Sequence, residues 1–154
     1  MNKQSGFNLV ELLIVIAILG ILITLVIMAV QGGKQKAFDN SIRNDVRQMR
    51  WLAEEVYDSN GASYEDWTQN AEISAQLDVL HADMDKILNY IATPEQPHAA
   101  ILRESQVGDY CISAPLKTDS SSYYCVDATG VFSTFSSPCP DNAKDGDPLR
   151  CPAS

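Results

Sequence analysis

The sequence predicts an α+β chain. One long amino-terminal helix, apolar in its first half and amphipathic in its second, packs on a small antiparallel sheet, and an additional helix lies between them. Three observations predict this. Leu12 to Val30 runs for nineteen residues with nothing more polar than Gly20 and Thr24. From Phe38 the apolar residues recur every three to four positions, the spacing of a helix with one buried face. After Asp109, short stretches rich in aromatic and β-branched residues alternate with turn residues, the pattern of antiparallel strands. At 154 residues the chain has room for one soluble domain plus an anchor, not for two full cores.

At 1.5 Å rise per residue the apolar run covers roughly the 30 Å of a hydrocarbon core, so it spans once. No second segment of comparable length follows it. Met1 to Gly6 is too short a leader, and the run after it too long, for an ordinary secretory signal, and no small-residue cleavage site follows Met28-Ala29-Val30-Gln31. Glu11 stands at the head of this run. An ionised group in lipid costs about 2.5–3.5 kcal/mol on insertion scales, so it needs a partner or a function. If Met1 to Gly6 were removed, the Phe7 ammonium would lie four residues from Glu11, on one helical face or within reach of a neighbouring copy.

Gly32-Gly33 should loosen or bend the helix. Beyond it Phe38, Ile42, Val46, Met49, Leu52 or Ala53, and Val56 form the buried stripe, ending near the turn-forming run Asp58-Ser59-Asn60-Gly61. A second helix is expected from Ala71 to Ala92, with Asn70 as its cap and Thr93-Pro94 as its stop. Its apolar residues Ile73, Leu77, Leu80, Met84, Ile87 and Ile91 follow a heptad seam. The seam is only about three repeats long, so it should pack within the domain and not as a coiled coil. Glu95 to Gly108 receives no assignment. Tyr110 to Ala114, Tyr123 to Val126 and Val131 to Phe135 read as three antiparallel strands, followed from Ser136 by a tail of loop composition.

All four cysteines lie between Cys111 and Cys151, with no histidine near them and no C-x-x-C. Disulfides therefore fit better than a zinc site, and they place this region in an oxidising compartment. Of the three connectivities, spacing favours Cys111 with Cys125 and Cys139 with Cys151. The basic residues point the other way: Lys3 precedes the span while Lys34, Lys36 and Arg43 follow it, leaning against a cytoplasmic amino terminus. The cysteines are given the greater weight. A net charge of −9 argues against nucleic-acid binding by a general basic surface, though not against a local basic stripe.

Few motifs carry chemistry. His81 with Asp78 or Asp85 would be half a metal site on one helical face, but solvent-exposed polar positions are the preferred reading. Gly32-Gly33-Lys34 lacks the frame of a phosphate loop, and no G-x-S-x-G, H-E-x-x-H or framed pair of catalytic carboxylates occurs. The chain is expected to be structural and not an enzyme.

Lys3-Gln4-Ser5-Gly6-Phe7-Asn8-Leu9-Val10-Glu11-Leu12-Leu13 and the apolar run after it resemble the amino terminus of type IV pilins and type II secretion pseudopilins. The resemblance covers about the first thirty residues. It implies a type IV pilin-like fold, cleavage by prepilin peptidase between Gly6 and Phe7, and N-methylation of Phe7. It also implies that Glu11 pairs with a neighbouring subunit's terminal ammonium during assembly. By the same resemblance the amino terminus faces the cytoplasm, which settles the orientation conflict. Asn8 stands where the family commonly has Thr, and Met28 where many members have a helix-bending Pro, while Gly20 matches the family's mid-segment Gly. Tyr124 to Gly130 also looks like the sheet of some bacterial pilin-like proteins.

The resulting organisation is a leader over residues 1–6, a transmembrane and polymerisation helix over 7–30, its amphipathic continuation over 31–58 and a globular domain over 59–154. The expected function is that of a structural subunit of a type IV pilus or type II secretion pseudopilus. The implied partners are other copies of the chain in a helical filament, prepilin peptidase, and an inner-membrane assembly platform with a separate ATPase. The chain would sit in the cytoplasmic membrane with its carboxyl-terminal domain outside, then in a surface pilus or pseudopilus. The competing class is a single-pass membrane-anchored extracytoplasmic binding module or enzyme domain. No cofactor is required. Asp141, Asn142, Asp145 and Asp147 crowd oxygen ligands of the kind calcium takes, and major pseudopilins include calcium-binding members. Their spacing is not that of an EF-hand, however, and a solvated loop is the preferred reading.

Overall fold

The computed structural model describes residues 8–64, 66–91, 96, 98–104, 109–140 and 149–152. Its elements in chain order are α1 (Leu9–Ser59), a 3-10 turn (Trp67–Gln69), α2 (Ala71–Leu88) and the strands β1 (Ile101–Glu104), β2 (Tyr110–Pro115), β3 (Tyr123–Asp127) and β4 (Phe132–Phe135). This is the expected α+β class. The chain divides into two units, Met1–Gln35 and Lys36–Ser154, and the second holds the hydrophobic core.

The amphipathic stripe of α1 builds one side of that core. Ile42, Val46, Met49 and Ala53 expose no surface, and Leu52 and Val56 are buried beside them. Each fully buried aliphatic side chain of this size is worth about 1.5–3 kcal/mol, so the stripe is the main reason the helix stays on the sheet. Phe38, expected in the stripe, is instead 40% exposed. The neighbouring Asp39 is the buried residue of that turn. It accepts hydrogen bonds from the amides of Lys117 (2.6 Å) and Thr118 (3.1 Å) and from the Thr118 hydroxyl, clamping α1 to the β2–β3 loop. The helix ends where the turn-forming run predicts. Gly61 takes the left-handed backbone that glycine adopts without strain (φ +66°), and the Ala62 amide returns to the Tyr57 carbonyl at 3.0 Å.

Asn70 caps α2 as expected, accepting from the amides of Glu72 (3.0 Å) and Ile73 (3.4 Å). The helix stops at Leu88, short of the expected Ala92. Asn89 adopts the left-handed conformation (φ 52°), and its amide and that of Tyr90 bond back to the Lys86 and Asp85 carbonyls. Asparagine tolerates that backbone better than other non-glycine residues, so the stop is local and comes before Thr93-Pro94, which lie outside the described residues. Ile91 consequently leaves the seam and is 85% exposed. Ile73, Leu77 and Met84 are buried in the same core as the α1 stripe, with Leu80 and Ile87 packed against it. The seam thus serves packing within the domain.

The sheet has the order β1-β2-β3-β4, each strand antiparallel to the next. Three of these are the expected strands; β1 comes from the stretch that received no assignment. It is four residues long and reads Ile-Leu-Arg-Glu, too short and too polar to signal a strand without its partner. Side chains of β2 and β3 alternate between two buried faces, as the period of two requires. Tyr110, Ile112, Ala114, Tyr124 and Val126 join the core under α1 and α2. On the other face Cys111 and Cys125 are covered by Cys139, Leu149, Cys151, Ile101 and Phe135.

Polar groups at the edge of the helical core are largely paired. Tyr64 and Tyr110 stack edge to face (4.8 Å) beside Tyr57 and Trp67. Their hydroxyls donate to the two oxygens of Glu54, at 2.9 and 3.3 Å. Burial, reinforced by the Glu54 charge, raises both phenols above their ordinary pKa. Arg47 donates to the Tyr124 hydroxyl (3.1 Å), and Arg50 lies over the Phe132 ring (4.6 Å).

Asp45 is an exception. It is buried, its Oδ2 has no hydrogen-bond partner among the described residues, and burial with the nearby Asp83 charge raises its pKa to about 6. The folded state therefore holds this proton more tightly than the unfolded chain between pH 3.8 and about 6. Stability contributed by the group falls as pH rises through that window and stays low above it. Asp45→Asn should raise the unfolding free energy at pH 7 by on the order of 1–2 kcal/mol, allowing for partial solvent screening. That gain should vanish below the pKa of an ordinary aspartate; urea unfolding of both proteins at pH 7 and at pH 3.5 checks it.

Candidate functional site

In the first unit, Asn8 caps α1. Its side-chain oxygen accepts from the Val10 amide (3.3 Å) and its carbonyl from the amides of Glu11 (2.9 Å) and Leu12 (3.2 Å). Glu11 sits in the first turn, where a carboxylate meets the positive end of the helix dipole. The sequence signal for this cap is an asparagine directly before an apolar helical run.

From Leu9 to Val30 the large aliphatic side chains expose between 45% and 76% of their surface, on every side of the helix. Glu11 is the one charged residue between Asn8 and Val30. The Thr24 hydroxyl donates to the Gly20 carbonyl at 2.8 Å, so the helix itself satisfies the run's only hydroxyl, as an apolar medium demands. Gly32 and Gly33 both have helical backbone. The helix is long and apolar enough to cross a membrane. Gly6 and Phe7 lie outside the described residues.

The cysteines are all paired, but not as spacing suggested. The disulfides are Cys111–Cys139 and Cys125–Cys151, each with Cα atoms 5.9 Å apart. Register explains the correction. Ser113 lies opposite Cys125 and Asp127 opposite Cys111, so the two strand cysteines are diagonal neighbours, and at that offset Cα atoms stand about 7 Å or more apart, too far for a bridge. Each reaches instead to the tail lying across its face. Asp127 assists, being buried on that face. Its Oδ2 accepts from the Cys151 amide (2.9 Å), while Oδ1 accepts from the amides of Thr129 and Val131 and the Thr129 hydroxyl, shaping the β3–β4 turn. Asp141, Asn142, Asp145 and Asp147 lie outside the described residues.

His81 is likewise corrected. It is buried, not solvent-exposed, and stacks on His98 with ring centroids 4.2 Å apart and planes 11° from parallel. Burial first, and the His98 ring second, push its pKa down to about 4. Sequence spacing could not find His98, which comes from beyond the end of α2.

The amino-terminal segment falls in a recognised class: the family model for the prokaryotic N-terminal methylation motif matches residues 1–30. Type II secretion system core protein G of Aeromonas hydrophila is similar to this chain, 46% identical over 45 residues. That match covers 29% of this chain and 32% of the relative, so the chain matches about a third of its length. No solved structure matches the chain. These findings bear out, for the amino-terminal segment, the resemblance to type IV pilins and type II secretion pseudopilins.

Peptide mapping without reduction should recover Cys111 joined to Cys139 and Cys125 joined to Cys151. With partners 28 and 26 positions apart in sequence, each bridge is worth about 3.5 kcal/mol on chain-entropy grounds. The double variant Cys125→Ser with Cys151→Ser should lose stability of that order in urea unfolding. Recovery of Cys111 joined to Cys125 would contradict the register argument.

Proposed function

We propose that this chain is a structural subunit of a type IV pilus or type II secretion pseudopilus, without catalytic activity of its own. In this reading prepilin peptidase cuts after Gly6, Phe7 becomes the methylated amino terminus, and the chain polymerises through its amino-terminal helix. The observation that carries it is the helix from Leu9 to Val30. It is apolar on all sides, is exposed along its whole length, and carries a lone carboxylate in its first turn, within a prepilin-type motif. Such a surface needs lipid or an equally apolar bundle. Copies related by one repeated contact that does not close build a helical filament, and passage from membrane to filament exchanges one apolar environment for another.

Glu11 gives that transfer its register. In the membrane the charge sits near the headgroups; in the filament core it is compensated by the Phe7 ammonium of a neighbour, and an unpaired copy there would be costly. The paired cysteines support a globular domain outside the cytoplasm, with the amino terminus inside, where the peptidase and an assembly platform with its separate ATPase would act.

Intact-mass measurement of protein from its native membrane should show a chain beginning at Phe7 and carrying one added methyl group. A chain beginning at Met1 or Asn2 would replace this reading with that of an anchored binding module or enzyme. Glu11→Ala should leave the melting of the globular domain unchanged while reducing incorporation into filaments at least tenfold by quantitative immunoblotting of sheared fractions. Filaments of normal yield would remove the charge-pairing role.

A further inference from the structure

Asp78, His81 and His98 each offer a metal-ligating atom, all within 4.8 Å of one another. Asp78 and His81 lie on one face of α2, three residues apart. His98 is brought to them by a segment fastened back onto that helix. The Tyr90 hydroxyl donates to the Gln96 carbonyl (2.9 Å), the Gln96 side chain to the His98 carbonyl (3.2 Å), and the Ala99 amide to Asp85 Oδ1 (2.7 Å). Asp85 Oδ2 meets His98 Nδ1 at 2.9 Å. A carboxylate on one ring nitrogen fixes the tautomer and leaves the other nitrogen as a ligand, the usual support of a metal-binding imidazole.

His81 adds an independent observation. The residue exposes only 9% of its surface, and its Nε2 has no hydrogen-bond partner among the described residues. A buried ring nitrogen left so is costly, and a bound cation would satisfy it. Asp78 is exposed, which gives an ion a route in from solvent.

We propose that Asp78, His81 and His98 form a binding site for a divalent transition metal of the zinc class, with Asp85 positioning the His98 imidazole. Two imidazoles and one carboxylate favour zinc, cobalt, nickel or copper over calcium or magnesium, which take oxygen. At metal–ligand distances of 2.0–2.2 Å, ligand atoms around one tetrahedral ion stand about 3.4 Å apart. Loading therefore draws the exposed Asp78 carboxylate inward and tilts the His98 ring out of its stack, since stacked rings point their lone pairs side by side. Three protein ligands leave a fourth position for water. The bound ion would tie the segment around His98 to α2. This site does not depend on the filament reading.

The test uses the detergent-solubilised full chain without a histidine tag, stripped with chelator and titrated with Co²⁺, then Zn²⁺. The expected result is one Co²⁺ per chain with the intense visible bands of a four-coordinate ion, displaced by one equivalent of Zn²⁺, and a higher melting temperature with either metal. Asp78→Asn, at an exposed position, and His98→Gln, which retains a donor for Asp85, should keep the fold by circular dichroism and weaken binding tenfold or more. Asp85→Asn should weaken it by about 10–100-fold. Failure of the unaltered chain to bind Co²⁺ stoichiometrically, or equal affinity in folded Asp78→Asn and His98→Gln, would overturn the proposal.

Discussion

β2 and β3 are buried on both faces, and a sheet of four short strands cannot bury both by itself. Two different devices cover it. On one face the stripe Ile42, Val46, Met49, Ala53 and Val56 lays an aliphatic ridge across Tyr110, Ile112, Ala114, Tyr124 and Val126, and the hydrophobic effect holds it there. On the other face no helix packs among the described residues. Cys139, Leu149 and Cys151 cover Cys111 and Cys125 there, and two disulfides hold them in place. Asp127 reinforces the second cover by pairing with the Cys151 amide while organising the adjoining turn.

The same economy appears in how α1 is used. A helix that is apolar all round has no preferred face, so it suits a lipid or a bundle of like helices, whereas one with a single stripe fixes its rotation against one surface. The change of pattern after Gly33 therefore separates a segment suited to exchange between environments from one committed to a fold. Asp39 and Glu54 secure the committed part at either end of the stripe, the first through loop amides and the second through two tyrosine hydroxyls. Asp45, between them, is a buried carboxylate whose Oδ2 has no partner among the described residues, and burial with the Asp83 charge raises its pKa.

The family match agrees with this division of labour. It stops at residue 30, where the all-apolar segment ends, and the similarity to the secretion protein covers less than a third of the chain. The matched motif is local and is written in consecutive residues. A globular domain can meet its own constraints with many sequences, and here it does so with a sheet order and disulfide pattern that no short motif announces.

The sequence alone determined whatever depends on neighbours along the chain: the apolar span, the amphipathic stripe, the cap at Asn70, the stop at Gly61, three of the four strands and the oxidised state of the cysteines. Each follows from helical or strand periodicity, from the preference of a single residue or, for the cysteines, from their number and the lack of a nearby histidine. Tertiary structure decided what depends on residues distant in sequence. Strand β1 exists only because β2 is there to pair with it. The disulfide partners follow from a two-residue offset between β2 and β3, which makes Cys111 and Cys125 diagonal neighbours on one face and leaves each to pair with a tail cysteine. His81 is buried where His98, from beyond α2, stacks on it. Register and long-range closure are properties of the packed chain, and no local pattern encodes them.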